Sequence, residues 1–340
     1  MGGLISTLFS PFSRTSGVAR WMLVIGAVIS GVFVVCAVFA PWIAPYDFAE
    51  FSDADGRFAK LSSPDHTHWF GTTDLQTDVL SRVIWGARTA LEVVSLGVLA
   101  SVMIGLVLGL VSGYVGGWVD RVLVLIMDSL YAFPSFLLAI VCAFLFTNII
   151  GADLLFLSSG VIATALSLTV IYIPQYFRVV RNTTISAKQA TYVEAARALG
   201  ASDFAIMRRY LFGNVIQSVP VIGTLNAADA ILTLAGLGFL GIGIQPDEAA
   251  EWGYDLQRAL DDAGIGVWWT SLYPGLAIVL LVTGLTLVGE GLNETVNPIL
   301  RKRRLLPVVM PPRVILETVT PPTQRSADPG GRATTTEETA

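Results

Sequence analysis

Residues 21–40, WMLVIGAVISGVFVVCAVFA, carry no charged side chain. An α-helix rises 1.5 Å per residue, so about 20 apolar residues cross the ~30 Å hydrocarbon of a bilayer. In that medium every backbone N–H and C=O must be satisfied within the protein, which leaves helices and closed barrels as spanning forms. Runs of similar character recur at residues 89–113, 122–146, 160–177, 215–244 and 273–289. The expectation is an all-α polytopic membrane protein with six transmembrane helices. A cleavable leader would have a shorter apolar region followed by a small-residue cleavage site. Here PWIAPYDF follows a full-length run, so the first run reads as a retained helix. Composition agrees: 54% of residues are hydrophobic, 14% are charged and mean hydropathy is +0.67, whereas soluble domains carry about 25% charged residues.

Loop charges orient these spans. With a cytoplasmic N-terminus, Arg57, Lys60, Arg82, Arg88 and Arg258 lie outside, and the other 16 of the 21 basic residues lie inside. The outer segments are acidic, with Asp47, Glu50, Asp53, Asp55 and Asp65, then Asp247, Glu248, Glu251, Asp255, Asp261 and Asp262. That separation is what the positive-inside rule demands, and one span more or fewer would scramble it. Both termini are therefore expected in the cytoplasm. The organisation reads as a cytoplasmic segment 1–20, a first span 21–40, an extracytoplasmic segment 41–88, and a five-helix core 89–300. The core contains an inner loop 182–214 and an outer loop 245–270. A basic, then disordered cytoplasmic tail 301–340 follows, since PPTQRSADPGGRATTTEETA has too little apolar surface to fold alone. Trp268 and Trp269 read as interfacial rings. Cys36 and Cys142 sit in apolar runs and read as small packing residues.

The inner loop contains the longest markedly charged stretch of the core, TYVEAARALGASDFAIMRRYLFGN. Thr191 with Glu194 three residues on has the spacing of a capping box. Gly200 would end that helix in the left-handed conformation, and Ser202 or Asp203 would cap the next one. A helix of two turns is not stable alone in water, so its own flanks or a partner must hold it. Ala195, Ala196 and Ala198 keep it thin. These residues alone fit an ordinary connection packed on its own bundle as well as a helix that enters a partner's groove.

EAARALGAS, with Asn214 downstream, resembles the cytoplasmic EAA loop of the integral-membrane subunits of bacterial ABC importers. FAPWIAPYDF, HWFGTTDLQTDVLSRVIWGART, GLVSGYVGGWVDRVL, MDSLYAFPSFLLAI, GFLGIGIQP and YPGLAIVLLVTGLTLVGEGLNETVNP are similar to the C-type subunits of oligopeptide/dipeptide permeases. The likeness runs from about residue 20 to residue 304. It implies the type I ABC importer permease fold and half of a pore for short peptides, working by alternating access. Nickel complexes, haem or another small solute are alternative cargoes for the same machinery. The implied partners are a homologous permease, two cytoplasmic ATPase subunits, an extracytoplasmic solute-binding protein and the bilayer, with no nucleic acid. By this resemblance Thr191, Tyr192, Glu194, Ala195, Ala196, Arg197, Gly200, Ala201 and Ser202 form the ATPase-docking coupling helix. ATP and Mg would be bound by the partner ATPases, and this chain is expected to hold no cofactor or metal and to be no enzyme. Four features depart from the family pattern. Tyr210 and Gly213 replace a His and a Pro, Leu234 stands where Glu is frequent, and DLQTD replaces ELGRD.

Other candidates carry less. Asp128 and Asp229 fall within spans, where an acid faces a cavity or a partner; each reads as a pathway residue or a helix-interface residue. Glu92 reads as an outer-rim residue, and Glu290 and Glu294 as solvated at the inner end of the last span. His66 and His68 are too few to fix a metal and read as surface residues. No G-x-x-x-x-G-K-[ST] phosphate loop occurs, so energy must come from another polypeptide. An ion-coupled secondary transporter would need matched acids or broken helices in corresponding halves. Asp128 and Asp229 do not supply that match.

Overall fold

The computed structural model describes residues 17–53, 56–149 and 158–296, with only the backbone described at Ser218, Thr295 and Val296. The expectations for residues 1–16 and for the tail 301–340 lie outside the described residues.

Eleven α-helices occur in order among the described residues: α1 Val18–Ile43, α2 Val79–Val115, α3 Gly117–Ala132, α4 Ser135–Ile149, α5 Ser159–Ala187, α6 Thr191–Ala198, α7 Asp203–Ile206, α8 Phe212–Val215, α9 Val219–Phe239, α10 Trp252–Gly264 and α11 Trp269–Val296. Two short strands, β1 Ser52–Asp53 and β2 Gly56–Arg57, pair antiparallel in the first outer segment. Among the described residues, five helices are long and apolar enough to cross a membrane: α1, α2, α5, α9 and α11. A sixth candidate is a bent pair of helices. Helices α3 and α4 meet at 98°, so the run 122–146 is not one straight helix, as its hydropathy suggested. The cause is local. The ring of Pro134 disfavours the α conformation at the residue before it, and Phe133 is extended at φ −74°, ψ 140°.

Helix α2 is the frame of the molecule. Its 37 residues span about 55 Å, well beyond the hydrocarbon thickness, and it begins ten residues before the apolar run at 89. Asp78 starts it, accepting the Ser81 backbone N–H at 2.8 Å. Gly97, Ser101, Gly105, Gly109 and Gly113 recur every fourth residue, so they line one face. This face receives α5. A Cβ on Gly105 would lie 2.6 Å from Tyr176 Cβ, and one on Gly109 2.8 Å from the Phe177 carbonyl oxygen. Without lipid-excluding hydrophobic force between spans, close backbone approach supplies the packing energy. Ser101 and Thr169 cross-link the same seam, with Ser101 donating to the Thr169 carbonyl at 3.2 Å and Thr169 to the Gly97 carbonyl at 3.3 Å. Helix α5 is the most enclosed span, with Tyr172, Tyr176 and Phe177 buried. Helix α1 lies on the outside against α11, where Gly26 faces Gly284.

The outer segments fold onto the spans more tightly than their polarity predicted. Helix α10 fills the outer loop, and its first residue, Trp252, seats its ring on Gly86 and donates to the Val83 carbonyl at 3.1 Å. Trp269 is also buried and donates to the Thr72 carbonyl at 3.2 Å. Only Trp268 of the expected interfacial pair is exposed. His68 is not a surface residue. It is buried with Nδ1 3.0 Å from Asp78 Oδ1, between the rings of Tyr46 and Phe58, while His66 is exposed. Arg82 and Asp255 form a buried ion pair at 2.7 Å that ties α2 to α10. Cys36 and Cys142 are unbridged.

Candidate functional site

After Ala187 the chain turns from α5 into α6. The expected Thr191–Glu194 capping box does not form: the N-cap is Ala190, and no side-chain cap bond is present. Thr191 is already the first helical residue, one position too late for its hydroxyl to reach the third amide. The Ala190 carbonyl instead accepts from Val193 at 2.9 Å.

The other end matches expectation in detail. Gly200 sits at φ 84°, a conformation that costs an L-residue roughly 1–2 kcal/mol. It donates to the Arg197 carbonyl at 3.0 Å, and Ala201 donates to the Ala196 carbonyl at 3.0 Å. These two bonds are the Schellman pattern, in which a left-handed residue lets the chain fold back over the last turn. Ala201 packs against the apolar cluster that contains Ala196, the kind of contact that often accompanies this pattern. Ser202 caps α7 by accepting from Ala205 at 3.4 Å.

Helix α6 shows two faces. Val193 and Ala196 turn inward onto Tyr114, Ile206 and Leu211. Thr191, Tyr192, Glu194, Ala195, Arg197, Gly200 and Ser202 are exposed, and Ala201 is half-buried. Ala196 is thus part of the seat beneath α6 and not of its outward face. The most prominent outward groups were absent from the sequence-derived set: Leu199, 88% exposed, and Phe204, 67% exposed. They flank the Gly200 turn as an apolar pair in an otherwise polar loop. That contrast was the available signal.

Side-chain hydrogen bonds bind this platform to the spans and brace it internally. The Tyr114 hydroxyl, at the end of α2, donates to Asp203 Oδ1 at 2.5 Å and lies 3.5 Å from Arg197 Nη2. Lys188 donates to the Gly113 and Tyr114 carbonyls at 3.3 and 3.0 Å, satisfying acceptors that every helix leaves open at its C-terminus. Asn214 donates to the Tyr192 hydroxyl at 2.8 Å, tying α8 back to α6. Beside the platform, Arg181 grips Asp120 bidentately at 2.5 and 2.7 Å, and Ser112 donates to the same carboxylate at 2.5 Å. Helices α2, α3 and α5 thereby meet at one staple. The turn α2–α3 that permits this uses Gly116 and Gly117, at φ 71° and 61°.

From Asp203 to Phe239 the chain stays helical, through a π-turn at Met207–Leu211 and a 3-10 turn at Ile216–Ser218. Tyr210 and Gly213, the departures from the family pattern, lie in this irregular stretch. A π-turn within an α-helix shifts the facing of every later residue and concentrates at functional sites.

The two intramembrane acids lie apart from this platform. Asp128 pairs with Arg178 at 2.7 Å, both partly exposed, and the same guanidinium sits 4.0 Å above the Tyr131 ring. Asp229 is exposed on α9 and accepts from the buried Tyr172 hydroxyl at 2.7 Å. Glu92 pairs with Arg88 at 2.8 Å. Among the described residues no group of three or more His, Cys, Asp or Glu side chains could hold a metal ion.

Comparison with known proteins bears on this arrangement. Residues 105–302 match the family described as binding-protein-dependent transport system inner membrane component. Residues 19–64 match the N-terminal TM domain of oligopeptide transport permease C. Proteins named glutathione transport system permease protein GsiD, from Escherichia coli O157:H7, Shigella sonnei and Shigella boydii serotype 4, are each 37% identical over 265 residues. Those alignments cover 78% of this chain and 82% of each relative.

Proposed function

Because the chain belongs to the family of binding-protein-dependent transport system inner membrane components, and is a permease subunit of an ABC importer, we propose that it forms half of an alternating-access pore for short peptides. The relatives at 37% identity are named for glutathione, a tripeptide, and the N-terminal match is named for oligopeptide transport. A second, homologous permease completes the pore. Two cytoplasmic ATPases bind ATP and Mg, and an extracytoplasmic binding protein delivers cargo. The acidic outer and basic inner loops support cytoplasmic termini.

The observation that carries the reading is the α6 platform. A helix of eight residues is too short to persist unaided, yet it is closed by a Schellman turn and bonded to the end of α2. It presents Leu199 and Phe204 outward. We assign the exposed face of α6, from Thr191 through Ser202, as the seat of the partner ATPase. ATP-driven closure would then push one rigid body. The coupling role needs no catalytic group in this chain.

The test is reconstitution in lipid with the second permease, both ATPases and the binding protein. Tripeptide-loaded binding protein is expected to stimulate ATP hydrolysis several-fold and to drive uptake. A Glu194→Lys variant is expected to lose stimulation while still inserting in the membrane. A complex whose hydrolysis is indifferent to peptide, or a Glu194→Lys variant with full coupling, overturns the assignment.

A further inference from the structure

Asp229 is the midpoint of the 21-residue α9, about 15 Å from either end and hence near the centre of the hydrocarbon. A carboxylate at that depth is costly unless it faces water, a cavity or a partner. Its neighbours Asn226, Ala228, Ala230 and Ile231 are buried against the bundle, whereas Asp229 is exposed. One oxygen is held by Tyr172, whose ring is 1% exposed, so the carboxylate is fixed in direction. Asp120 and Asp128, the other aspartates in spanning helices, are each paired with an arginine. Among the described residues no lysine or arginine pairs with Asp229. Asn226 on α9 and Tyr176 on α5 add two further buried polar side chains to these two helices, and the Asn226 Nδ2 and the Tyr176 hydroxyl find no hydrogen-bond partner.

An oriented carboxylate at mid-depth, exposed on α9 and paired with no lysine or arginine among the described residues, is open to a cation from elsewhere. We propose that Asp229 receives the free ammonium group of the cargo as it passes the middle of the pore, and so favours peptides with an unblocked amine. The inference rests on the peptide-import reading above. The Tyr172 hydroxyl takes up part of the charge on the carboxylate, so cargo is bound weakly enough to move on. Asp229 touches the passing cargo and Tyr172 positions it.

The experiment uses the assembled importer in vesicles and two probes, trialanine and N-acetyl-trialanine, each loaded to saturation on the binding protein. The wild type is expected to import the free-amine peptide faster. Asp229→Asn should lower uptake of the free-amine form about tenfold, the scale of one charge-assisted hydrogen bond, and leave the acetylated form unchanged. Asp229→Glu should restore the preference. Equal loss for both peptides, or an unchanged ratio, overturns the proposal. So does failure of the Asp229→Asn subunit to copurify with the second permease, which would make the residue an interface contact. A wild-type complex that imports neither peptide sinks the cargo reading itself, whereas a ratio indifferent to Asp229 sinks only this inference.

Discussion

The hydroxyl of Tyr114 donates to the carboxylate of Asp203 across 2.5 Å, joining the last turn of α2 to the segment just beyond the Gly200 turn. The bond separates two otherwise similar designs. In one, the inner loop hangs from its own flanks; here it is fastened to a span that runs the full depth of the membrane. Tyr114→Phe removes the donor and keeps the ring that packs on Val193 and Ala196. A hydrogen bond to a charged acceptor contributes about 1.5–3 kcal/mol. The variant is expected to assemble normally, to hydrolyse ATP at the basal rate, and to lose most of the stimulation by loaded binding protein. Unaltered stimulation in a reconstituted ATPase assay would show that force does not travel through α2.

Leu199 is the most exposed large apolar side chain of the platform. If it enters a cleft of the partner, truncation should cost what a central contact residue costs. Leu199→Ser is expected to weaken retention of the ATPase about thirtyfold, from ~2 kcal/mol, as read by titrating ATPase onto permease-loaded nanodiscs. Leu260 on the outer helix α10, 59% exposed, supplies the control, and Leu260→Ser should leave retention unchanged.

Gly200 is required for its backbone and not for space, since nothing lies within 4 Å of the point where a Cβ would stand. Gly200→Ala should therefore cost about 1 kcal/mol through φ alone, and Gly200→Pro much more, because it also removes the N–H that bonds Arg197. Graded loss of peptide-stimulated hydrolysis, Ala milder than Pro, is expected. Equal activity of all three proteins would remove the Schellman turn from the mechanism.

The α2–α5 seam predicts a stability effect without a functional site. Gly109→Val drives a side chain into the Phe177 carbonyl and Val180, and overpacking of this kind costs about 1–3 kcal/mol. Gly31 on α1 meets nothing within 4 Å. Thermal unfolding in detergent should place Gly109→Val well below the wild type and Gly31→Val beside it.

Glu251 provides a pH prediction. It caps α10 by accepting from Gly253 and Tyr254 at 2.9 and 2.7 Å. Complete burial against Gly238, with the Asp255 carboxylate adding to it, pushes its pKa up to about 8. An acid whose folded pKa exceeds its unfolded value near 4.3 stabilises fully below the unfolded value and loses that contribution as pH rises through the folded one. The wild type should therefore lose thermal stability between about pH 4.5 and 8, and Glu251→Gln should flatten that slope. Parallel profiles for the two proteins would mean that Glu251 is ionised throughout.

Much of the site was legible because its signals are local. Gly200 could be placed in a left-handed turn because no other residue type takes φ 84° so cheaply. Ser202 fitted as a cap because a short hydroxyl reaches the amide three residues on. The break after Phe133 falls at Pro134, yet Pro174 and Pro274 lie inside unbroken helices, so a proline by itself did not mark it. What stayed hidden was facing. Ala196 and Leu199 are both small-to-medium apolar residues in one loop, yet one is buried and the other almost fully exposed. The difference comes from Tyr114, far earlier in the chain. His68 looked like a surface residue until Asp78, Tyr46 and Phe58 closed around it.

The amino-acid sequence alone determined which stretches are apolar enough to cross a bilayer and how the short helix α6 ends. Those properties depend on transfer free energies and backbone preferences within windows of a few to about twenty residues. Only the tertiary structure decided which side of each helix is covered, and so left Leu199 and Asp229 open while enclosing Ala196 and His68. Burial is conferred by residues distant in the chain, and their approach is set by packing such as the glycine face of α2, which no local window contains.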